Sequence, residues 1–442
     1  MVGRMGQDEI AASRVDHRTK GMPGGIEPLR LDAIGAQGWN LLREDLPLPL
    51  AVLKESAIAH NGRWMRDFLL RSGAVIAPHG KTTMSPQLFD RQIADGAWAI
   101  TLATTNQIQV ARDFGFSRII LANQLVGRQP IRYVLDELRR DPAFDFYCLV
   151  DSEAGVAQLE AAARRADIGR PLQVLLEGGF AGGRTGCRSA AEGLSVARAV
   201  KAAAPFLALR GVEGFEGSIR RPEPAETQAA VADFLDFLVS LAMACEQEGL
   251  FVGDEIILTA GGSRYYDIVV ERFGRAVLRR PSRPVTRSGC YLTHDSVLYR
   301  KAFDELLLRS PDAAALEGGL GGGLGGGLLP ALEVWAYVQS RPEPTKAYLT
   351  MGRRDLSADD PPVALKWFRP GSPAPVTMPA GHLVTNLNDQ HCHMTVPASS
   401  PLAVGDMVAF GISHPCLTFD KWQVICLVDD DYNVTSAIKT FF

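Results

Sequence analysis

A chain of 442 residues is too long for one ordinary domain, and 46% hydrophobic against 22% charged residues is enough to bury sizeable cores. A formal net charge of −4 provides no basic field of the kind that nucleic acid or an anionic membrane surface requires. Two domains acting on a small molecule, with neither nucleic acid nor membrane as partner, are the expectation.

The start, MVGRMGQDEIAASRVDHRTKG, has no apolar core ahead of a small-residue cleavage site, and no later stretch offers about 18 uncharged apolar residues. A cytoplasmic protein is expected. The seven cysteines (148, 187, 245, 290, 392, 416 and 426) are odd in number, widely spread and mostly set in apolar runs, which suits reduced thiols better than a disulfide framework. Two of them, Cys392 and Cys416, stand within two residues of a histidine.

From about residue 74 to 295, short β-branched runs alternate with amphipathic stretches, the pattern of a parallel sheet with helical crossovers. The runs are AVIAPHGK, AITLAT, RIILAN, FYCLVD, QVLLEGG, RGVEGFEG, EIILTAGGS and VTRSGCYLT. Segments such as SPQLFDRQIADG and SAAEGLSVARAVKAAA between them have helical periodicity. Eight strand–helix units predict a closed (β/α)8 barrel over residues 46–310, preceded by an N-terminal segment, 1–45, expected to pack on the C-terminal domain.

Residues 331–442 read instead as repeated strands, EVWAYVQS, AYLTM, HLVTNL, MVAFGI, WQVICLV and VTSAIKTFF, split by Pro, Gly and Asp turns. That predicts an all-β domain. Between the two, residues 311–330 include the low-complexity run EGGLGGGLGGGLLP (317–330), whose glycines resist ordering and suit a linker or surface loop. The run lacks the Lys and Ser/Thr of a phosphate loop.

Barrel enzymes keep their chemistry where strands end and βα loops begin, and commonly bind phosphate after strands seven and eight. Here strand one ends in Pro78-His79-Gly80-Lys81-Thr82, strand seven in Ala260-Gly261-Gly262-Ser263, and strand eight in Arg287-Ser288-Gly289-Cys290-Tyr291. Barrel closure places strand eight beside strand one, so the lysine, the glycine-rich loop and the tyrosine are expected to face one pocket. Glycines admit backbone N–H groups to a phosphate, and the Ser263 and Tyr291 hydroxyls complete its hydrogen bonds. A lysine beside a phosphate suggests pyridoxal 5′-phosphate (PLP), whose aldehyde condenses with an amine and whose ring draws electrons from a substrate Cα–H bond. Taken alone, a lysine is more often a solvated surface residue. Its place at a strand end after His-Gly is what favours the cofactor.

At these residues the chain resembles a known family. Residues 46–127, with LPLPLAVLKESAIAHNG, AVIAPHGKTTMSP and ITLATTNQIQVARDFGFSRIILANQLVG, look like the D-serine dehydratases and D-threonine aldolases, fold-type III (alanine-racemase-like) PLP enzymes. The resemblance continues through GVEGFEG, LTAGGS, RSGCYLTHD, VQSRPEPTKAYLTMGRRDLS, NDQHCHM and SHPC. It implies that Lys81 holds the cofactor as a Schiff base, that Gly261, Gly262, Ser263 and Tyr291 grip its phosphate, and that the protein is a homodimer. In that family the partner of the pyridine nitrogen lies on strand six, which here offers Glu213, with Phe215 and Gly217 on the same face by the two-residue period. A solvated or interface glutamate is the bland alternative.

Ser413-His414-Pro415-Cys416 sets an imidazole and a thiol two residues apart at a strand end. By itself this is more often a packed histidine beside a buried cysteine. The resemblance implies a zinc pair, His414 and Cys416, or another divalent ion, because D-serine dehydratases carry His-x-Cys at this point. A Lewis acid there eases departure of a β-hydroxide. The aldolase branch tends toward His-x-Asp and a harder ion, so Cys416 favours dehydration.

The run Asp389-Gln390-His391-Cys392-His393 falls where the family has a glutamate–histidine pair near the metal. His391 is the candidate acid/base residue, although Gln390 departs from the acidic pattern and a structural histidine is the alternative. His79, two residues before Lys81, should point to the same side if the strand stays extended. Arg184, in the loop after strand five, is a candidate for the substrate carboxylate, and Asp151 and Glu177 are weaker candidates at strands four and five. The leading expectation is a D-serine or related D-hydroxyamino-acid dehydratase giving a 2-oxo acid and ammonia. A retro-aldol enzyme comes second and a racemase third, since Tyr337 and Tyr348 lack the context of a racemase tyrosine. A non-catalytic PLP carrier has no use for a large β-domain bearing His414 and Cys416.

Overall fold

In the computed structural model, residues 6–310 and 327–442 are described. The predicted linker falls mostly outside them, at 311–326. Two compact units emerge: one comprises residues 66–81 and 93–289, the other 1–65, 82–92 and 290–442.

The first unit holds eight parallel strands: Val75–Ile76, Ile100–Leu102, Arg118–Gln124, Asp145–Val150, Leu172–Gly178, Leu207–Gly214, Ile256–Ala260 and Ser282–Thr286. Each of the eight runs predicted for the barrel contributes one. They pair in chain order from the second to the eighth, and the eighth pairs with the first. An isolated parallel bridge between His79 and Thr101, with the Trp98 N–H donating to the Ile76 carbonyl at 2.8 Å, links the first to the second and closes the ring. This is the eight-stranded parallel barrel that the sequence predicts. Its interior is filled by Ala77, Ala99, Ile120, Tyr147, Leu149, Leu175, Ile257 and Val285, inward positions of successive strands.

Intervening helices start where polar side chains cap them. Thr104, Ser152 and Ser189 accept from the N–H groups of Gln107, Gly155 and Glu192. The helix Pro224–Gln247, between strands six and seven, is long and apolar enough to cross a membrane by length and composition, contrary to the expectation that no stretch would be. It buries Val231, Phe234, Leu235, Leu238, Leu241, Ala242 and Cys245, as a barrel crossover must.

The second unit is built on antiparallel strands. Leu332–Glu343 lies between Met407–Gly411 and Lys346–Leu349, and the sheet runs outward through Val363–Phe368 and Val376–Thr377 on one side, Cys392–Thr395 and Leu383–Leu387 on the other. Leu50–Lys54 pairs antiparallel with Leu332–Glu343 and parallel with Val424–Val428, which in turn pairs with Val434–Lys439. All five residues of Leu50–Lys54 are buried, so this run, which the sequence assigns to the barrel domain, is instead a strand of the β-unit. The N-terminal segment bonds to the same unit: the Leu41 N–H donates to the Tyr432 carbonyl at 3.1 Å, and Asn40 bridges to Asn433.

Candidate functional site

At the carboxyl ends of the barrel strands, acids, a base and a guanidinium are buried together. Glu213, at the end of strand six, is ion-paired with Arg287, at the end of strand eight; both are 2% exposed. Arg287 also donates to Thr259 Oγ1 at 2.9 Å and to the Gly214 carbonyl at 3.2 Å. Burial pushes the Glu213 carboxyl up to about 8, with Arg287 pulling it back. Glu216, fully buried, accepts the Gly262 N–H at 2.8 Å, and burial raises its pKa as well. Ser288 Oγ donates to the Gly262 carbonyl at 3.2 Å.

His79 is half-buried, and desolvation, reinforced by the positive charges of Lys81, Arg287 and Arg184, holds its pKa well below the usual imidazole range. It is therefore a neutral base. Lys81 is half-buried in a tight 3-10 turn, Gly80–Thr82. The strand ends before it, so the two-residue alternation that was to align His79 with Lys81 does not extend to the lysine. Arg184 is exposed and lies with its guanidinium 4.3 Å from the Phe215 ring. Asp151 and Glu177 are used locally, Asp151 accepting the Gly186 N–H at 3.0 Å and Glu177 accepting from Thr185 Oγ1 at 2.6 Å.

Several buried atoms here have hydrogen-bonding capacity that the protein does not use: His79 Nδ1, Glu213 Oε2, Glu216 Oε2, Arg287 Nε and Thr286 Oγ1. Such orphans are costly, and their convergence at strand ends suits a polar ligand. The predicted phosphate loop has a specific reason for its glycines. A Cβ at Gly261 would stand 2.5 Å from Arg287 Cβ, and one at Gly262 3.0 Å from Glu216 Oε1. Gly261→Ala is accordingly expected to overpack the strand end and displace Arg287, costing about 1–3 kcal/mol, which urea denaturation would measure.

The β-unit brings together a second cluster, on the loop 413–416. His414 Nδ1 is 2.7 Å from Asp359 Oδ2, its backbone N–H donates to Ser357 Oγ at 3.0 Å, and Ser357 Oγ is 2.8 Å from Ser413 Oγ. Hydrogen bonding to Cys416 and to Asp359 lifts the His414 pKa to about 9, against the cost of burial. Cys416 Sγ lies 3.4 Å from Thr82 Oγ1 and 3.8 Å from Cys290 Sγ. Its thiol is held well below its ordinary value by hydrogen bonds from Cys290 and His414.

Two buried non-glycine residues near these positions in the chain adopt left-handed backbone, Met84 (φ 42°) and His294 (φ 46°), the kind of local strain that collects at functional sites. Tyr291 is buried at 2% exposure. His391 is exposed at the start of a hairpin, while Cys392 is fully buried and His393 is 2.5 Å from Asn388 Oδ1.

Sequence reasoning did not assign roles to Arg287, Glu216, Asp359 or Cys290. The buried Arg287 had a usable signal, a charged residue inside an otherwise apolar strand end. Asp359 had none.

Residues 53–251 match the model "Alanine racemase, N-terminal domain", and residues 331–428 match "Putative serine dehydratase domain". The chain is 26% identical over 227 residues to the 3-hydroxy-D-aspartate aldolase of Paracoccus denitrificans, a match spanning 50% of this chain and 56% of that protein. It is 24% identical over 410 residues to the D-threonine aldolase of an Arthrobacter species, covering 92% and 94% of the two chains. In structure it resembles the D-threo-3-hydroxyaspartate dehydratase of Delftia sp. HT23 at a TM-score of 0.69 and 21% identity, over 91% of this chain and 99% of that one; a C-to-A mutant of a D-threo-3-hydroxyaspartate dehydratase in its metal-free form matches equally well. The chain thus joins a match to an alanine racemase N-terminal domain with a match to a putative serine dehydratase domain, has the alanine-racemase-like fold, and over most of its length is similar to D-threonine aldolase.

Proposed function

We propose that the protein is a PLP-dependent lyase that dehydrates a small D-3-hydroxyamino acid, D-serine or a near relative such as a 3-hydroxyaspartate, to a 2-oxo acid and ammonia. The observation that carries the reading is the 413–416 loop. A thiol and an imidazole stand together there, the imidazole backed by a carboxylate, inside the segment that matches a serine dehydratase domain.

In this reading Lys81 anchors the cofactor, which when bound draws electrons from the substrate Cα–H bond. Ser263 and Tyr291, with the N–H groups of the Gly261-Gly262 loop, hold its phosphate. Glu213 and Arg287 form the pair available to the ring nitrogen, the guanidinium offsetting part of the rise that burial imposes on the carboxyl. His79, kept neutral by burial, can accept a hydrogen bond without adding charge. Arg184 is the cation available to a substrate carboxylate, and His391 is an acid/base candidate.

Cys416 and His414 are fit to hold a divalent ion, zinc first. The donor set is a thiol held well below its ordinary pKa and an imidazole whose Nδ1 is taken by Asp359, its other bond being to the Cys416 thiol itself, so that the two donors face each other. A metal held there would polarise the β-hydroxyl. The same reading makes the protein a homodimer.

Retro-aldol cleavage is the second reading, favoured by the aldolases among the relatives. A panel of D-3-hydroxyamino acids, with 2-oxo acid and aldehyde followed separately, distinguishes the two: aldehyde and glycine without 2-oxo acid would overturn dehydration. Ser263→Ala and Tyr291→Phe should each weaken cofactor binding about ten- to a hundredfold, the worth of one charge-assisted hydrogen bond, with substrate preference unchanged. Equilibrium titration of the cofactor checks both.

A further inference from the structure

We propose that Cys290 is a second thiolate ligand, so that the metal site of this chain is His414, Cys416 and Cys290 in place of a histidine–cysteine pair. The inference rests on the reading of His414 and Cys416 as metal ligands given above and adds a residue to it.

Cys290 Sγ and Cys416 Sγ lie 3.8 Å apart although 126 positions separate them in the chain. Two thiolates each about 2.3 Å from a tetrahedral zinc stand about 3.8 Å from one another, so the sulfurs already have the spacing of a shared ion. Both also face one hydroxyl: Thr82 Oγ1 is 3.8 Å from Cys290 Sγ and 3.4 Å from Cys416 Sγ. The cluster is sheltered, with Thr82 1% and Cys290 3% exposed.

The remaining five cysteines, Cys148, Cys187, Cys245, Cys392 and Cys426, are buried as Cys290 is, and all six thiols are raised, Cys290 by its hydrogen bond to Cys416 first and the others by burial. Cys290 differs from them in having a thiol and a hydroxyl as neighbours.

The third donor is prepared by its surroundings. Asp359 on Nδ1 fixes the His414 tautomer, while the Ser357 hydroxyl and the Thr418 hydroxyl, which donates to the His414 carbonyl at 3.1 Å, tie down the loop. Among the described residues no three His, Cys, Asp or Glu side chains already surround a common point, so binding requires the imidazole or a thiol to rotate. Two thiolates neutralise a divalent ion and select a soft one. The site should take zinc or cobalt and refuse manganese and magnesium.

The test is cobalt loading of the full-length, PLP-containing protein, read as the difference spectrum between metal-loaded and metal-free samples, because thiolate-to-cobalt charge transfer grows with the number of thiolates bound. Zinc affinity is measured alongside by chelator competition. Cys290→Ser is expected to halve the charge-transfer band and weaken zinc binding about tenfold or more. Cys290→Ala serves as the second variant, with circular dichroism and thermal melting to verify the fold of each. If both variants retain the parent's band and affinity while Cys416→Ser loses them, Cys290 is no ligand and the histidine–cysteine pair stands. If the parent itself shows no thiolate band, the underlying assignment of His414 and Cys416 fails first.

Discussion

Lys81→Ala is expected to abolish turnover, to below about a thousandth of the parent, while leaving the protein folded. The residue is half-buried in a short turn beyond the first barrel strand, and the barrel interior is made by other side chains. The visible absorbance of the cofactor should change in parallel. Borohydride reduction of the parent, followed by peptide mapping, should find the cofactor attached to Lys81. A label on any other lysine would contradict the assignment.

The second large effect concerns the metal. Chelation is expected to stop 2-oxo acid formation from D-serine, by about a thousandfold if the Lewis acid supplies several kcal/mol. The cofactor should stay bound, because in the proposed site it is held by Lys81 and the Gly261–Ser263 loop and not by the metal. β-Chloro-D-alanine should still eliminate in the metal-free enzyme, since chloride departs without help. Cys416→Ala should reproduce chelation. Cys392→Ala should leave turnover unchanged, its thiol being packed in a strand that pairs with Lys346–Leu349. Undiminished activity on D-serine after verified removal of all metal would dispose of the mechanism.

The barrel was legible because its regularity is local. Each strand and its crossover occupy a few tens of residues, and hydrophobic period changes at every boundary. Lys81 stands out in the sequence for a similar reason, as a lysine that follows His-Gly at a strand end. What could not be read depends on partners far away in the chain. Leu50–Lys54 is four apolar residues and a lysine whether it lies in a barrel or a β-domain; only its pairing with residues 332–335 and 426–428 decides. The Glu213–Arg287 pair spans 74 positions, and no periodicity connects them. The same holds for Cys290 with Cys416 and for Asp359 with His414. The glycine of the phosphate loop was read as serving a ligand. Its neighbour in the fold is Arg287, and the need for a missing Cβ at Gly261 exists before any ligand binds.

The place of Leu50–Lys54 also sets an order of events during synthesis. Every strand of the barrel has left the ribosome once residue 286 has, so that unit can close early. The strand at 50–54 must wait for its neighbours at 332–335 and 426–428, holding an apolar edge open through most of translation. A polypeptide ending before residue 424 would never cover that edge, and a fragment beginning at 331 would lack the strand that joins Leu332–Glu343 to Val424–Val428. The β-unit is thus a clasp that draws residues 50–54 together with residues 332–335 and 426–428.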